Sequence, residues 1–214
     1  MKTPAFDKAH QAFQRGTSCH QDGQLDEALH WYRKTLEVQP ENALVLRNLG
    51  LIFQTQGKLD EAVSTFQKAL SIKPDFAEGH YNLGNALKEQ GKLDEALFSF
   101  QKAVSTEPDF AEAHSNLGNA LKEQGKLDEA VSSYQRAVSI KPDFADAHYN
   151  LGNTQLEQGR LDEAVSSFQK TVSIQPDSAD AHYNLANALI ARGVVRCDKL
   201  MCRLSMGSKD EIQP

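Results

Sequence analysis

Residues 80 to 96 read HYNLGNALKEQGKLDEA, and they hold a histidine, two asparagines, a Gly-Lys and an acid pair, all types that catalyse or ligate. Three chemistries can be written on them. A metal site would use His80 with His114, His148 and His182. Zinc ligands must stand about 2.0 Å from one ion, and side chains on successive helices about 10 Å apart do not converge that closely. Packing histidines are therefore expected, and no metal or cofactor is assigned. GNALKEQGKL has the outline of a phosphate loop, but six residues rather than four separate Gly84 from Gly91, and Leu93 stands where a magnesium-binding Ser or Thr belongs. The pair Asp94-Glu95 suggests hydrolysis, yet it recurs wherever a second helix would start, and there the helix dipole explains it.

All these residues return 34 positions later in HSNLGNALKEQGKLDEA, beginning at His114. A single catalytic centre has no use for serial copies, so the recurrence belongs to the elements that carry these residues. Prolines fall at Pro40, Pro74, Pro108, Pro142 and Pro176, and glycines at Gly23, Gly57, Gly91, Gly125, Gly159 and Gly193, both at 34-residue intervals. A period of roughly 20 to 50 residues signals stacked units that cannot bury their apolar faces alone. Positions are numbered here from Ala9, Ala43, Ala77, Ala111, Ala145 and Ala179 as position 1. The glycine at position 15 breaks one apolar pattern and the proline at position 32 ends another, which predicts two helices per repeat. Asp75 with Glu78 and Asp109 with Glu112 read as capping boxes for the first helix, and Asp146 follows Asp143 at the same spacing.

Composition sets the outer bounds. The chain of 214 residues is 40% hydrophobic and 24% charged, which is ordinary for a soluble globular protein. Its 29 acidic against 23 basic residues give a formal charge of -6, which repels a phosphate backbone, so nucleic acid is not an expected partner. No run approaches the ~20 apolar residues of a membrane span. Cys19, Cys197 and Cys202 lack both zinc spacing and the density of a disulfide scaffold, which suits a reducing, cytoplasmic location. Cys19, at position 11, reads as a small core hydrophobe.

The 34-residue pattern resembles the tetratricopeptide repeat family over residues 9 to 193. Position 8 carries Gly16, Gly50, Gly84, Gly118, Gly152 and Ala186; position 20 carries Ala28, Ala62, Ala96, Ala130 and Ala164; position 24 carries Tyr32, Phe66, Phe100, Tyr134 and Phe168. The resemblance implies an all-α, right-handed superhelical solenoid of antiparallel helix pairs with a concave binding groove. The units read as 1–8 (lead), 9–42, 43–76, 77–110, 111–144 and 145–178 (five repeats), 179–193 (a sixth first helix) and 194–214 (a divergent tail or capping helix). In that tail Val194, Cys197, Met201 and Leu204 keep helical spacing.

At 100° per residue, positions 4, 7, 8, 10 and 11 of the first helix share a core arc, and positions 2, 5, 6, 9, 12 and 13 share the opposite, free arc. The free arc carries two amide rows: Asn48, Asn82, Asn116, Asn150 and Asn184 at position 6, and Asn85, Asn119, Asn153 and Asn187 at position 9. An Asn amide donates and accepts, so it pairs with a peptide backbone whatever side chains the peptide carries; it can equally bond a neighbouring helix. The position-6 row also resembles the asparagine ladder in the repeat half of O-GlcNAc transferases, which implies binding of extended backbones. Tyr81, Tyr149 and Tyr183 at position 5, with Lys88, Lys122 and Leu156 at position 12, complete the candidate contact set. Leu156 and Ile190 replace the lysines, and with Tyr149 and Tyr183 they predict an apolar anchor. Gln155 in the core slot is the competing reason for Leu156 to turn inward, and cover by a tail helix is the competing reading for Ile190.

A carboxylate clamp for chaperone tails needs Lys, Asn and Arg at set positions of three successive repeats, and no three supply them. Position 2 is instead acidic at Glu78, Glu112, Asp146 and Asp180. The expectation is a non-catalytic scaffold binding an extended peptide or partner protein; the alternative is the substrate-targeting module of a larger enzyme such as a glycosyltransferase. Ligand identity, pathway and oligomeric state are not encoded in these patterns.

Overall fold

A computed structural model describes residues 4–207, and the side chains of residues 6–194. Among the described residues there are eleven helices and no strand: α1 (Pro4–Gln21), α2 (Leu25–Val38), α3 (Ala43–Thr55), α4 (Leu59–Ile72), α5 (Ala77–Glu89), α6 (Leu93–Thr106), α7 (Ala111–Glu123), α8 (Leu127–Ile140), α9 (Ala145–Glu157), α10 (Leu161–Ile174) and α11 (Ala179–Gly207). Odd-numbered helices open a repeat and even-numbered helices close it. The chain divides into two compact units, Met1–Ala113 and His114–Pro214, each described here by itself.

The turn inside each repeat is local in origin. Gly91 has φ +76°, and its N–H reaches the Lys88 carbonyl at 2.9 Å while the Lys92 N–H reaches the Leu87 carbonyl at 2.9 Å. Those two bonds satisfy orphan carbonyls at the end of α5 in the manner of a Schellman motif, and glycine takes the left-handed conformation at no Cβ cost. The next helix begins at Leu93, with Asp94 and Glu95 in its first turn. Helix starts of the other kind differ from the capping-box expectation. At α5 and α9 the cap residue is Phe76 or Phe144, with no side-chain bond to the helix, because Asp75 and Asp143 stand one residue too early. Phe76 is buried instead, so apolar packing replaces polar capping there.

Close helix approach explains the small-residue slots. A Cβ added to Gly84 would lie 2.6 Å from a ring carbon of Phe100, and one added to Gly118 would lie 2.6 Å from Tyr134. Real atoms do not approach so closely, so glycine is what lets the ring of the closing helix rest on the backbone of the opening helix. Ala28, Ala62, Ala96, Ala130 and Ala164 are all fully buried beside these rings. Each buried aromatic contributes roughly 1.5–3 kcal/mol of apolar burial, once per repeat. In the first unit the core joins Ala28, Leu29 and Tyr32 to Val45, Leu49 and Ile52, with half-buried Cys19 against it. In the second it joins Ala164, Val165 and Phe168 to Ala188.

Repeat six departs from the pattern. Gly193 sits inside α11 and has no positive φ, and the helix runs on to Gly207, so residues 179–193 and the start of the tail form one element. Elsewhere the glycine is followed by Leu-Asp-Glu-Ala, as in Leu161 to Ala164, which gives a packing residue and an acidic start to a new helix. Val195, Arg196, Cys197 and Asp198 keep an apolar residue in the Leu slot but supply neither the Asp-Glu start nor the small residue after it. The remainder of the tail, 208–214, lies outside the described residues.

Candidate functional site

The opening helices place positions 6 and 9 on one side, and the structure shows what their amides do within the protein. Asn150 Nδ2 donates to Asn119 Oδ1 at 3.1 Å, and Asn184 Nδ2 donates to Asn153 Oδ1 at 2.9 Å. Position 6 of one repeat thus bonds position 9 of the repeat before it. Tyr134 at position 24 adds its hydroxyl to Asn119 Oδ1 at 2.7 Å, and burial pushes the Tyr134 phenol up, so it remains a donor. In the first unit Asn48 Nδ2 bonds Tyr32 Oη at 3.2 Å in place of a position-9 amide.

Asn82 is the exception. Its residue is 6% exposed, and its Nδ2 is buried without a hydrogen-bond partner. The cause can be read from the preceding repeat, where position 9 is Leu51 and position 24 is Phe66, neither of which offers an acceptor. The free arc therefore needs correction: Asn48 and Asn82 are buried, while Asn116, Asn150 and Asn184 are half-buried, as are Asn85, Asn119, Asn153 and Asn187. Position 3 belongs to the core instead, with Ala113, Ala147 and Ala181 fully buried.

The rung between Asn184 and Asn153 has a chemical polarity. Because Asn184 spends its amide hydrogens on Asn153 Oδ1 and, at 3.0 Å, on Tyr149 Oη, the unused atoms are the Asn184 Oδ1 acceptor and the Asn153 Nδ2 donors. An acceptor and a donor on one bonded pair of amides are the chemical complements of the N–H and C=O of an extended chain.

The other candidates are distributed less simply. Tyr81 and Tyr149 are half-buried, with ring centroids 6.1 Å from Phe100 and 5.9 Å from Phe168. Leu156 packs with Tyr149 against the Ala164–Phe168 core, while Gln155 is buried and accepts from Ser167 Oγ at 2.7 Å. Tyr183 and Ile190 stand exposed. The four-residue apolar anchor is thus split between two covered and two uncovered side chains. Lys122 Nζ pairs with Glu157 at 2.7 Å, which ties position 12 to position 13 of the next repeat; Gln54 and Glu89 do the same in the first unit at 2.5 Å. Lys88 is half-buried.

The histidines at position 4 close the ends of preceding helices. His80, His148 and His182 place Nε2 at 2.8, 3.0 and 2.8 Å from the carbonyls of Pro74, Pro142 and Pro176. Each imidazole serves its own carbonyl, and burial holds His148 below its usual pKa against the opposing pull of that bond. Among the described residues no group of three or more His, Cys, Asp or Glu is placed to hold a metal ion.

A further set of joints was missed by reading positions 6, 9 and 12 alone. Gln90 Nε2 donates to Asp60 Oδ1 and Gln158 Nε2 to Asp128 Oδ1, both at 2.8 Å, and Arg192 reaches Asp162 at 3.4 Å. Position 14 therefore grips the acid that opens the previous closing helix. The signal was present in the recurrence of Gln56, Gln90, Gln124 and Gln158.

Among known proteins, a model described as TPR repeat matches residues 16–57, 55–91, 84–125, 118–159 and 152–193. The solved structure of MamA protein is 27% identical with a TM-score of 0.69, covering 81% of this chain and 94% of that one. YrrB, described as a TPR protein with an unusual peptide-binding site, is 28% identical with a TM-score of 0.67, covering 80% and 89%. The Pseudomonas aeruginosa pilF structure shares the fold at 20% identity, TM-score 0.79, over 96% and 95%. A search of curated proteins found no match. No helix among the described residues is long and apolar enough to cross a membrane. With the family model spanning five successive stretches and the glycine, alanine and ring contacts in register beneath it, the chain belongs to the tetratricopeptide repeat family.

Proposed function

We infer that the protein is a non-catalytic scaffold that binds an extended peptide segment through the amide rungs of its opening helices. The observation that carries this is the Asn153–Asn184 rung, whose 2.9 Å bond restrains both amides and leaves the Asn184 acceptor and the Asn153 donors outside it. Preorganised amides bind backbone without paying again for ordering, and they read no particular side chain. The half-buried amides Asn85, Asn116, Asn119, Asn150 and Asn187, with Tyr81, Lys88 and Lys122 beside them, extend the same surface within each unit, whereas Asn48 and Asn82 are buried. Described as it is, YrrB offers a precedent for peptide binding on this fold.

The test begins with linear peptides selected from a random library on the purified chain. Asn153→Ala is expected to weaken the selected peptides about tenfold, or about 1.4 kcal/mol, by calorimetry. The fold should persist, because Asn184 Nδ2 keeps the Tyr149 hydroxyl at 3.0 Å. Replacing peptide N–H groups by N-methyl should weaken binding at alternate residues. Affinity governed wholly by peptide side chains and unchanged in Asn153→Ala would overturn the reading.

A further inference from the structure

The last opening helix has lost the cover that the other repeats supply to it. In repeats three to five, position 11 is almost fully buried at Leu87, Leu121 and Gln155, and position 8 is buried at Gly84, Gly118 and Gly152. That cover is the repeat's own closing helix, whose ring rests on position 8 and, at 5.9 to 6.1 Å, beside the position-5 rings of Tyr149 and Tyr81. Because α11 continues straight through Gly193, repeat six has no closing helix among the described residues. Tyr183 is 68% exposed, Ile190 66% and Val194 56%, with Leu189 and Ala186 also exposed. Tyr183, Ala186, Leu189, Ile190 and Val194 stand at i, i+3, i+6, i+7 and i+11, so they line one side of α11 as a stripe. The stripe has also shed charge: Lys88-Glu89 and Lys122-Glu123 at positions 12 and 13 become Ile190-Ala191.

We propose that this stripe is a docking site for an amphipathic helix of a partner protein, a helix with the apolar spacing of the chain's own closing helices but an aliphatic residue in place of their aromatic ring. The five internal pairs show that a helix carrying Leu at position 17, Ala at 20 and a ring at 24 covers this face. Ala186 changes the last requirement. A Cβ at the equivalent glycines would come within 2.5 to 2.8 Å of the ring, and Ala186 carries that Cβ, so the seat fits Leu or Ile better than Phe or Tyr. The closing helices of a second folded copy are not free to take this seat. They already bury Ala28, Ala62, Ala96, Ala130 and Ala164, and all five carry aromatic rings at position 24.

The chain supplies its own probe. Two capped synthetic peptides, LDEAVSSFQKTVSI from residues 161 to 174 and the same sequence with Phe168→Leu, are titrated by fluorescence anisotropy into the full chain. The Leu peptide is expected to bind at least tenfold more tightly. Ala186→Gly in the full chain should reverse that preference, and Leu189→Lys, at the position-11 slot that closing helices bury elsewhere and on a side chain exposed enough here to leave the helical circular dichroism unchanged, should abolish binding of both. No binding of either peptide, or a preference indifferent to residue 186, overturns the proposal. So does concentration-dependent dimerisation removed by Leu189→Lys in sedimentation runs, since it would make a second copy the occupant. The library peptides of the rung reading are measured on the same variants and should be unaffected by Ala186→Gly, which separates failure of one reading from failure of the other.

Discussion

Phe100→Ala is expected to lower the unfolding free energy by about 3–5 kcal/mol, the largest single effect among substitutions of one side chain here. The ring is fully buried and rests on the backbone at Gly84, where no methyl group fits without movement. Removing it leaves a cavity walled by two helices that the neighbouring repeats hold in place, so collapse is limited. Gly84→Ala alone should cost about 1–3 kcal/mol by overpacking the same contact. The two defects are complementary: Gly84→Ala with Phe100→Leu should lose less than the sum of the separate Gly84→Ala and Phe100→Leu losses, because the shorter side chain vacates the space the methyl group enters. Urea unfolding followed by circular dichroism measures all four. Strict additivity would mean that the two positions do not meet as described.

The amide row gives the second large effect, and its sign differs between rungs. Asn82→Leu is expected to stabilise the protein by about 1–3 kcal/mol, since it replaces a buried amide hydrogen-bond donor that has no acceptor with an apolar group of similar size. Asn150→Leu is expected to destabilise by about 1 kcal/mol, since it removes the donor to Asn119 Oδ1 at 3.1 Å. Leu51→Asn should do for Asn82 what Asn119 does for Asn150, raising the melting temperature by supplying the missing acceptor. The three variants are compared by thermal unfolding at one protein concentration. Shifts of the same sign in Asn82→Leu and Asn150→Leu would contradict the assignment of these amides as joints between repeats.

Most of the fold was legible because internal repetition marks what the backbone needs. Gly91 and Pro74 punctuate the helices, and Gly84 opposite Phe100 can be aligned five times over within one chain. The capping residues were not legible, since Asp75 and Phe76 differ by one position and only the burial of Phe76 decides which of them begins the helix. The helical wheel also placed position 6 too far from its neighbours. A wheel describes a single helix, whereas Asn150 is half-buried by the repeat that precedes it and bonds Asn119 across 31 residues of sequence. The joint of Gln90 to Asp60 escaped for the same reason: the acid had an adequate local explanation in the helix dipole, and its second partner lies 30 residues away. What the sequence did expose at the far end was the loss of Leu-Asp-Glu-Ala after Gly193, and the unbroken helix α11 follows from that loss.

The claim that the rungs present backbone-binding atoms is tested most directly at the side-chain amides themselves. With ¹⁵N-labelled protein, the Asn153 and Asn184 side-chain N–H₂ resonances can be assigned by substitution and followed during titration with a library-selected peptide. Asn184 Nδ2, already committed at 2.9 Å to Asn153 Oδ1, should exchange slowly with solvent before and after binding. Asn153 Nδ2 should exchange rapidly in the free protein, then shift and become protected as the peptide saturates. A peptide that binds while the Asn153 amide neither shifts nor gains protection would contradict the account.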